Sequence, residues 1–438
     1  MGTLAAALVF SGIWPAFYTI KPGLSAYGEP SLDYRVAAYR ELPGWLQDDP
    51  GEALGAFLLS CERMSARDEA APANSQEYLG ERLAGVSLGG TVGDWLAPCA
   101  AAAGLDRGAY AGADAWRSAV RVFFESHFTP VEIRDRRAPL PDGPARRHGP
   151  RIETSGLFTG YFEPSYPASP MPTADFSAPV YRRPDDLIDV DLGAFRPKLA
   201  GQRIAGRIEG NKLVPYADHG EINGGALAGK VQPLAWMRPN DLFFLQIQGS
   251  GRLDFNDGSP PLRIGYAGQN GRAYTAIGRT MVDRDIMRLE DVSMQSIREW
   301  LDHADEAAAR EMREQNASYV FFTELDMPED PALGPLGAQG APLTAGRSLA
   351  VDRRYHTLGA PVFVDIEPVS AHGPKPIRRL MIAQDTGGAI KGPVRGDVFW
   401  GAGDEAGAVA GEMKAAGRLY VLVPAAVVER LSGGAPAQ

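Results

Sequence analysis

Four aspartates near the C-terminal end of this chain are the residues best placed by type and spacing to do chemistry. Asp352 stands before Arg353 and Arg354, and Asp385 precedes Thr386-Gly387-Gly388. Asp397 follows Arg395-Gly396, and Asp404 sits in the glycine-rich stretch Gly401–Gly407. A lone aspartate in such a turn usually bonds its own backbone. These four lie together at the edges of strand-like runs, with Phe399, Trp400 and Tyr420 close in sequence. That is the pattern of loops converging from a rigid barrel on a groove. A carboxyl kept protonated in an apolar, enclosed setting can act as a general acid on a glycosidic oxygen.

Other motifs fall short of their chemistry. Gly85-Val86-Ser87-Leu88-Gly89 has the spacing of a nucleophile elbow, but no strand-like run precedes it, and it reads as a loop between helices. Gly401–Gly407 lacks the G-x-G-x-x-G spacing of a dinucleotide loop, and Gly387–Gly392 has no Ser or Thr after Lys391. The six histidines are scattered, and the only cysteines are Cys61 and Cys99. The sequence therefore gives no basis for a metal or a cofactor. The two cysteines are either one disulfide in an oxidising compartment or two buried thiols.

The elements that must hold the aspartates are legible in part. Asp49-Pro50 is a helix start, with Leu54, Phe57, Leu58 and Cys61 at helical spacing behind it. A second helix is expected over Asp114–His127, with Trp116, Val120, Phe123 and Phe124 as its core stripe. The polar, basic stretch Arg134–Pro150 reads as a linker. From Thr159 to Tyr266 short strand-like runs follow, Phe243–Ile247 among them. Ser293–Asn316 reads as one capped helix and Tyr319–Phe322 as a strand. Three apolar runs, Pro361–Ile366, Arg379–Ala383 and Arg418–Val423, then predict a small barrel or sandwich, and Ser432–Gln438 a frayed tail.

Bulk properties bound the function. A chain of 438 residues supplies more than one core, at about one domain per ~150 residues. With 51 glycines and 35 prolines it favours turns and short strands over a bundle. A net charge of −10 excludes a broad phosphate-binding face, so no nucleic-acid partner is expected, and an acidic polymer must be held by local shape and contacts. Leu4–Phe17 has the length of a signal-peptide core, without a preceding basic residue or a clean cleavage site. No other run approaches the ~20 apolar residues of a spanning helix.

Six strings extend the reading: Phe158-Thr159-Gly160-Tyr161-Phe162, Gln246-Ile247-Gln248-Gly249-Ser250-Gly251, Tyr266-Ala267-Gly268-Gln269-Asn270-Gly271, Val292-Ser293-Met294-Gln295, Ser348-Leu349-Ala350-Val351-Asp352 and Asp385-Thr386-Gly387-Gly388-Ala389-Ile390-Lys391-Gly392. In this order, over residues 155–425, they closely resemble the membrane-bound lytic murein transglycosylase A family. The resemblance implies a mainly β fold with α-helices: a double-psi β-barrel domain with N-terminal helices, plus an inserted second β-barrel domain. Residues 1–157 would be the helical part of the barrel domain, 158–330 the insert, and 331–438 the C-terminal barrel with three aspartates.

By the same resemblance Asp397 is the catalytic acid, with Asp352 and Asp385 supporting it and Asp404 a lesser candidate. Thr159, Gly160, Tyr161, Gln248, Gly249, Ser250, Lys391 and Trp400 would line the glycan groove. The implied substrate is peptidoglycan glycan, cut between N-acetylmuramic acid (MurNAc) and N-acetylglucosamine (GlcNAc) to leave a 1,6-anhydro end. Other cell-wall synthesis or degradation proteins are conceivable partners. The implied location is the periplasm, with outer-membrane association open; no obvious lipobox is present, since Leu58-Leu59-Ser60-Cys61 falls inside the expected helix. The alternatives are a non-catalytic glycan-binding or scaffold protein and a two-carboxylate murein hydrolase.

Overall fold

A computed structural model of the chain describes residues 27, 28, 30–74, 88–140, 149–199, 203–326, 328, 330, 332–368, 376–387 and 389–433. The Leu4–Phe17 run, Gly85–Ser87 and residues 141–148 of the Arg134–Pro150 stretch lie outside the described residues. The chain forms two compact units, one of Pro164–Met327 and one of the flanking segments Trp14–Glu163 and Pro328–Gln438.

The flanking unit begins with β1 (Ser31–Val36), α1 (Pro50–Ser65), α2 (Gly93–Ala103), α3 (Ala113–His127), β2 (Phe128–Arg137), β3 (Arg151–Glu153) and β4 (Gly156–Glu163). The Asp49 side chain accepts from the Gly51 amide, capping α1 as expected. Cys61 and Cys99 are joined in a disulfide that ties α1 to α2. Closing a loop with a sequence separation of 38 stabilises by about 4 kcal/mol on chain-entropy grounds. Residues 158 to 163 lie in β4, which pairs with strands of this flanking unit.

The insert contains β5 (Ser165–Ser169), β6 (Ala178–Tyr181), β7 (Ile188–Asp191), α4 (Leu192–Phe195), β8 (Arg203–Glu209), β9 (Lys212–Pro215), α5 (His219–Asn223) and β10 (Pro233–Met237). It continues with α6 (Pro239–Gln248), β11 (Ser250–Phe255), β12 (Leu262–Gln269), α7 (Ile277–Asp283), α8 (Met294–His303), α9 (Glu306–Glu314) and β13 (Val320–Glu324). Its main sheet runs β13-β12-β11-β5-β10-β6, and a bridge between Arg182, just past β6, and Phe322, in the middle of β13, links the two edge strands, curling the sheet toward a barrel.

Two local expectations change here. Phe243–Ile247 is helical, not extended: Pro239 opens α6 at its first turn and Gly249, at φ 79°, closes it. Leu242 to Gln246 are all buried, so no polar face was present to reveal the helical period. Ser293–Asn316 is two helices because the Asp305 side chain caps a new start at the Ala308 amide.

The chain returns to the flanking unit with β14 (Ser348–Val351), β15 (Pro361–Ile366), β16 (Ile377–Asp385), β17 (Arg395–Ala402), α10 (Gly403–Glu412), β18 (Lys414–Pro424) and α11 (Ala425–Gly433). Six strands close a ring, β18-β15-β16-β14-β17-β4 and back to β18. β14–β16 and β17–β4 are its parallel pairs, and the ring is the barrel expected from the sequence. Phe158, Leu349, Leu380, Ile382, Val398 and Leu419 are fully buried in its core, each such side chain contributing about 1.5–3 kcal/mol. A buried ion-pair hub fastens the N-terminal segment to the ring: Arg347 donates to Asp48 at 3.0 Å, Glu52 at 2.7 Å and the Leu380 carbonyl at 2.8 Å.

Candidate active site

Strand register places the acidic residues. In the order β16-β14-β17-β4, Asp385 pairs with Ala350, Ala350 with Asp397, and Asp397 with Thr159. Residues in register point to the same face of a pleated sheet, so these four form one row across the barrel wall. Ala350 keeps the space between the two carboxyls clear, because it projects only a methyl group. The opposite face carries Phe158, Leu349 and Val398 into the core.

Hydrogen bonds fix the row. Thr159 Oγ1 donates to Asp397 Oδ1 at 2.6 Å and itself accepts from Arg395 Nη2 at 2.9 Å. Two residues along β4 on the same face, the Tyr161 hydroxyl donates to Asp385 Oδ2 at 2.9 Å. The other Asp385 oxygen accepts from the amides of Ala338 and Thr386, both at 2.9 Å. The Tyr161 ring packs against Phe399 with centroids 5.3 Å apart.

Electrostatics separates the carboxyls. Burial pushes Asp397 above the ordinary carboxylate range; the Thr159 hydrogen bond and the Arg395 charge oppose the rise, and Asp385 adds to it. Burial likewise raises Asp385, against its two amide hydrogen bonds and that from Tyr161. Tyr161 is raised as well, by burial and the neighbouring Asp385, so it stays a neutral donor. Asp352 goes the other way. Burial alone would raise it, but the Arg354 side chain and the Gly392 and Arg354 amides outweigh that and hold it below the usual range. Its carboxylate accepts from Arg354 Nη2 at 2.6 Å and from the Gly392 amide at 2.8 Å.

The remaining expected residues are placed differently. Gly160 and Trp400 face the core side, where strand alternation puts them. A Cβ on Gly160 would stand 2.7 Å from the Trp400 indole nitrogen, which donates to Met413 Sδ at 3.3 Å. Their place is in packing rather than beside the carboxyls. Lys391 is exposed in the loop before β17, and Asp404 is exposed in the first turn of α10. Gln248, Gly249 and Ser250 belong to the insert: Gln248 Oε1 accepts from the Tyr166 hydroxyl at 3.2 Å, Gly249 ends α6, and Ser250 opens β11. Sequence reasoning passed over Arg395. Its signal was the i, i+2 spacing to Asp397, which puts both on one face of a strand. Among the described residues no group of three or more His, Cys, Asp or Glu side chains could hold a metal ion.

A closed β-barrel that holds a partly accessible carboxyl, its proton affinity raised by burial, beside a second one, each with fixed donors, is an arrangement suited to acid–base chemistry. Residues 157–323 match the family signature described as MltA specific insert domain, and 347–423 that of the 3D domain. The membrane-bound lytic murein transglycosylase A of Escherichia coli K12 is 36% identical over 269 residues, 60% of this chain and 65% of that protein. The crystal structure of MltA from Neisseria gonorrhoeae superposes with a TM-score of 0.68 at 32% identity, covering 91% of this chain and 93% of the other. The structure of E. coli MltA with bound chitohexaose matches at a TM-score of 0.51 and 26% identity, over 91% and 94%. The chain belongs to the MltA family. Its match spans just under two thirds of the length of the curated relatives.

Proposed function

We propose that this protein is a lytic murein transglycosylase that cleaves the β-1,4 bond between MurNAc and GlcNAc and leaves 1,6-anhydro-MurNAc ends. The observation that carries this reading is Asp397: a carboxyl raised by burial, partly accessible, and gripped on one oxygen by Thr159. Arg395 does not deprotonate in proteins, so Thr159 Oγ1 accepts from it and its single proton points at Asp397 Oδ1. The transferable proton therefore sits on Oδ2.

In this mechanism Oδ2 of Asp397 gives its proton to the glycosidic oxygen as the C1–O4 bond breaks. The MurNAc C6 oxygen bonds to C1, and its proton passes to the Asp397 carboxylate, which ends the cycle as it began. No water is consumed. The internal hydroxyl has a large effective molarity, and one carboxyl serves as acid and then base. Asp385, with Tyr161, would support the row, while Asp352 would hold the loop before β17. The E. coli relative with bound chitohexaose supports a glycan as ligand, here the strands of peptidoglycan. The Cys61–Cys99 disulfide fits an oxidising compartment such as the periplasm. Cys61, being so bonded, is not a lipid-anchor site, and among the described residues no helix is long and apolar enough to cross a membrane.

Mass spectrometry of the soluble products from murein sacculi tests the proposal. Anhydromuropeptides, one water lighter than hydrolysed forms, are expected; reducing ends would instead mean a hydrolase, and no release a binding module. Asp397→Asn should lower the rate by about 10²–10⁴-fold while retaining murein binding. Undiminished cleavage by that variant would remove Asp397 from its role.

A further inference from the structure

Asp385 reaches the acid row only through an irregularity in β16. Ile382 pairs with Ser348 and Ala383 with Leu349, but the next residue of β14, Ala350, pairs with Asp385. Gln384 is therefore an extra residue, a β-bulge between two parallel strands. Strict alternation would put Asp385 on the face of Ala383 and Leu349, away from Asp397 and Thr159. The inserted residue turns it onto theirs. Since a slip of one residue moves a side chain from one face to the other, whatever holds the bulge decides where this carboxyl stands.

The bulge is held by its side chain and by its carbonyl. Gln384 is fully buried, and its Nε2 donates to the Ala56 carbonyl at 3.0 Å and to Ser60 Oγ at 2.9 Å, both on α1. Its Oε1 accepts from Ser348 Oγ, which itself accepts from the Thr344 amide at 2.7 Å. The helix is anchored in turn, because Cys61, next to Ser60, is joined to Cys99. An apolar side chain of similar length would fill the same space without the cost of burying an amide. What the amide adds is a fixed direction.

The Gln384 carbonyl accepts from the Gln339 amide at 3.0 Å, and the neighbouring Ala338 amide donates to Asp385 Oδ1 at 2.9 Å. One turn thus grips both the bulge and the carboxyl that the bulge presents. Gly337 permits this approach, since a Cβ there would stand 2.5 Å from the Gln384 carbonyl oxygen. In the row itself Asp385 faces the Tyr161 hydroxyl from β4 and the Asp397 carboxyl from β17.

We infer that Gln384 is a positioning residue: clamped between α1 and Ser348, it fixes the bulge that delivers Asp385 to the side of Asp397. The inference rests on the proposed function for the reaction this placement serves.

Two variants test it in the intact protein. Gln384→Met keeps the length and removes the amide, and Ser60→Ala removes a single bond of the clamp from α1. Carbon NMR of protein with isotope-labelled aspartate follows the Asp385 carboxyl, its signal identified by its loss in Asp385→Asn. In the parent its midpoint lies above the ordinary carboxylate value of about 3.9. It should fall to about that value in Gln384→Met and part of the way in Ser60→Ala. On soluble murein glycan, kcat should drop about tenfold in Gln384→Met with KM little changed. Added to Asp385→Asn, the same substitution should lower kcat no further, because it acts through Asp385. An unmoved Asp385 midpoint in a folded Gln384→Met protein, or an equal further loss of kcat in the Asp385→Asn background, would overturn the inference. Should Gln384→Met not fold, the midpoint in Ser60→Ala decides in the same way. Absence of anhydro products would count against the proposed function, while the titration would still decide the role of Gln384.

Discussion

Within two residues at the C-terminal end of β14 the same side chain is treated in opposite ways. At Asp352, just past the strand, the carboxylate has a guanidinium and two amides around it and is held ionised; it pins Gly392, while His356 Nε2 pins the Pro393 carbonyl at 2.7 Å. Beside Ala350, two residues earlier, Asp385 and Asp397 flank the strand where burial favours their protons. Three aspartates of one sequence pattern therefore divide into a structural anion and two carboxyls whose burial raises their affinity for a proton. Identity in sequence does not settle role; a guanidinium bonded directly to the carboxylate, set against burial, does.

The sharpest way to break this contrast is at Asp352. Removing it leaves the Arg354 guanidinium and the Gly392 amide without their acceptor, and Asp352→Ala should cost about 2 kcal/mol in urea unfolding at neutral pH. The folded carboxyl titrates below its unfolded value, so this contribution is present above about pH 4 and lost as pH falls through the lowered value. The gap between variant and parent should narrow in acid; a gap independent of pH would mean Asp352 acts by packing, not by charge.

Thr159 tests the other side of the comparison. Thr159→Val keeps the shape and removes the hydroxyl between Arg395 and Asp397, and kcat should fall about tenfold with little change in KM. Thr159→Ser should restore it. A valine variant with full kcat would show that the proton on Asp397 needs no such placement.

The smallest effect is expected at Asp385. Its folded carboxyl titrates above the unfolded value, so its stabilising share is complete below about pH 4 and is lost as pH rises through the raised value. Asp385→Asn, which cannot ionise, should melt slightly higher than the parent at neutral pH and match it in acid. A lower melting temperature at neutral pH would put Asp385 with Asp352 as a favoured anion.

Much of this was legible in the chain itself. Asp49-Pro50 predicted the start of α1, and the runs Pro361–Ile366, Arg379–Ala383 and Arg418–Val423 are strands of the barrel, because caps and β-branched runs act locally. Phe243–Ile247 was not legible as a helix, since a segment buried all round has no polar face to show its period.

By itself, then, the sequence determined a β-rich unit with its helices, the company of acidic residues and the net negative charge, all properties of local pattern and composition. The tertiary structure alone decided which aspartate stays ionised, that Cys61 meets Cys99, that Arg395 reaches Asp397 through Thr159, and that Gly160 and Trp400 pack away from the carboxyls. Each of those depends on strand register and burial between segments far apart in sequence, such as Thr159 and Asp397 on neighbouring parallel strands, and no local spacing encodes which distant strand lies alongside.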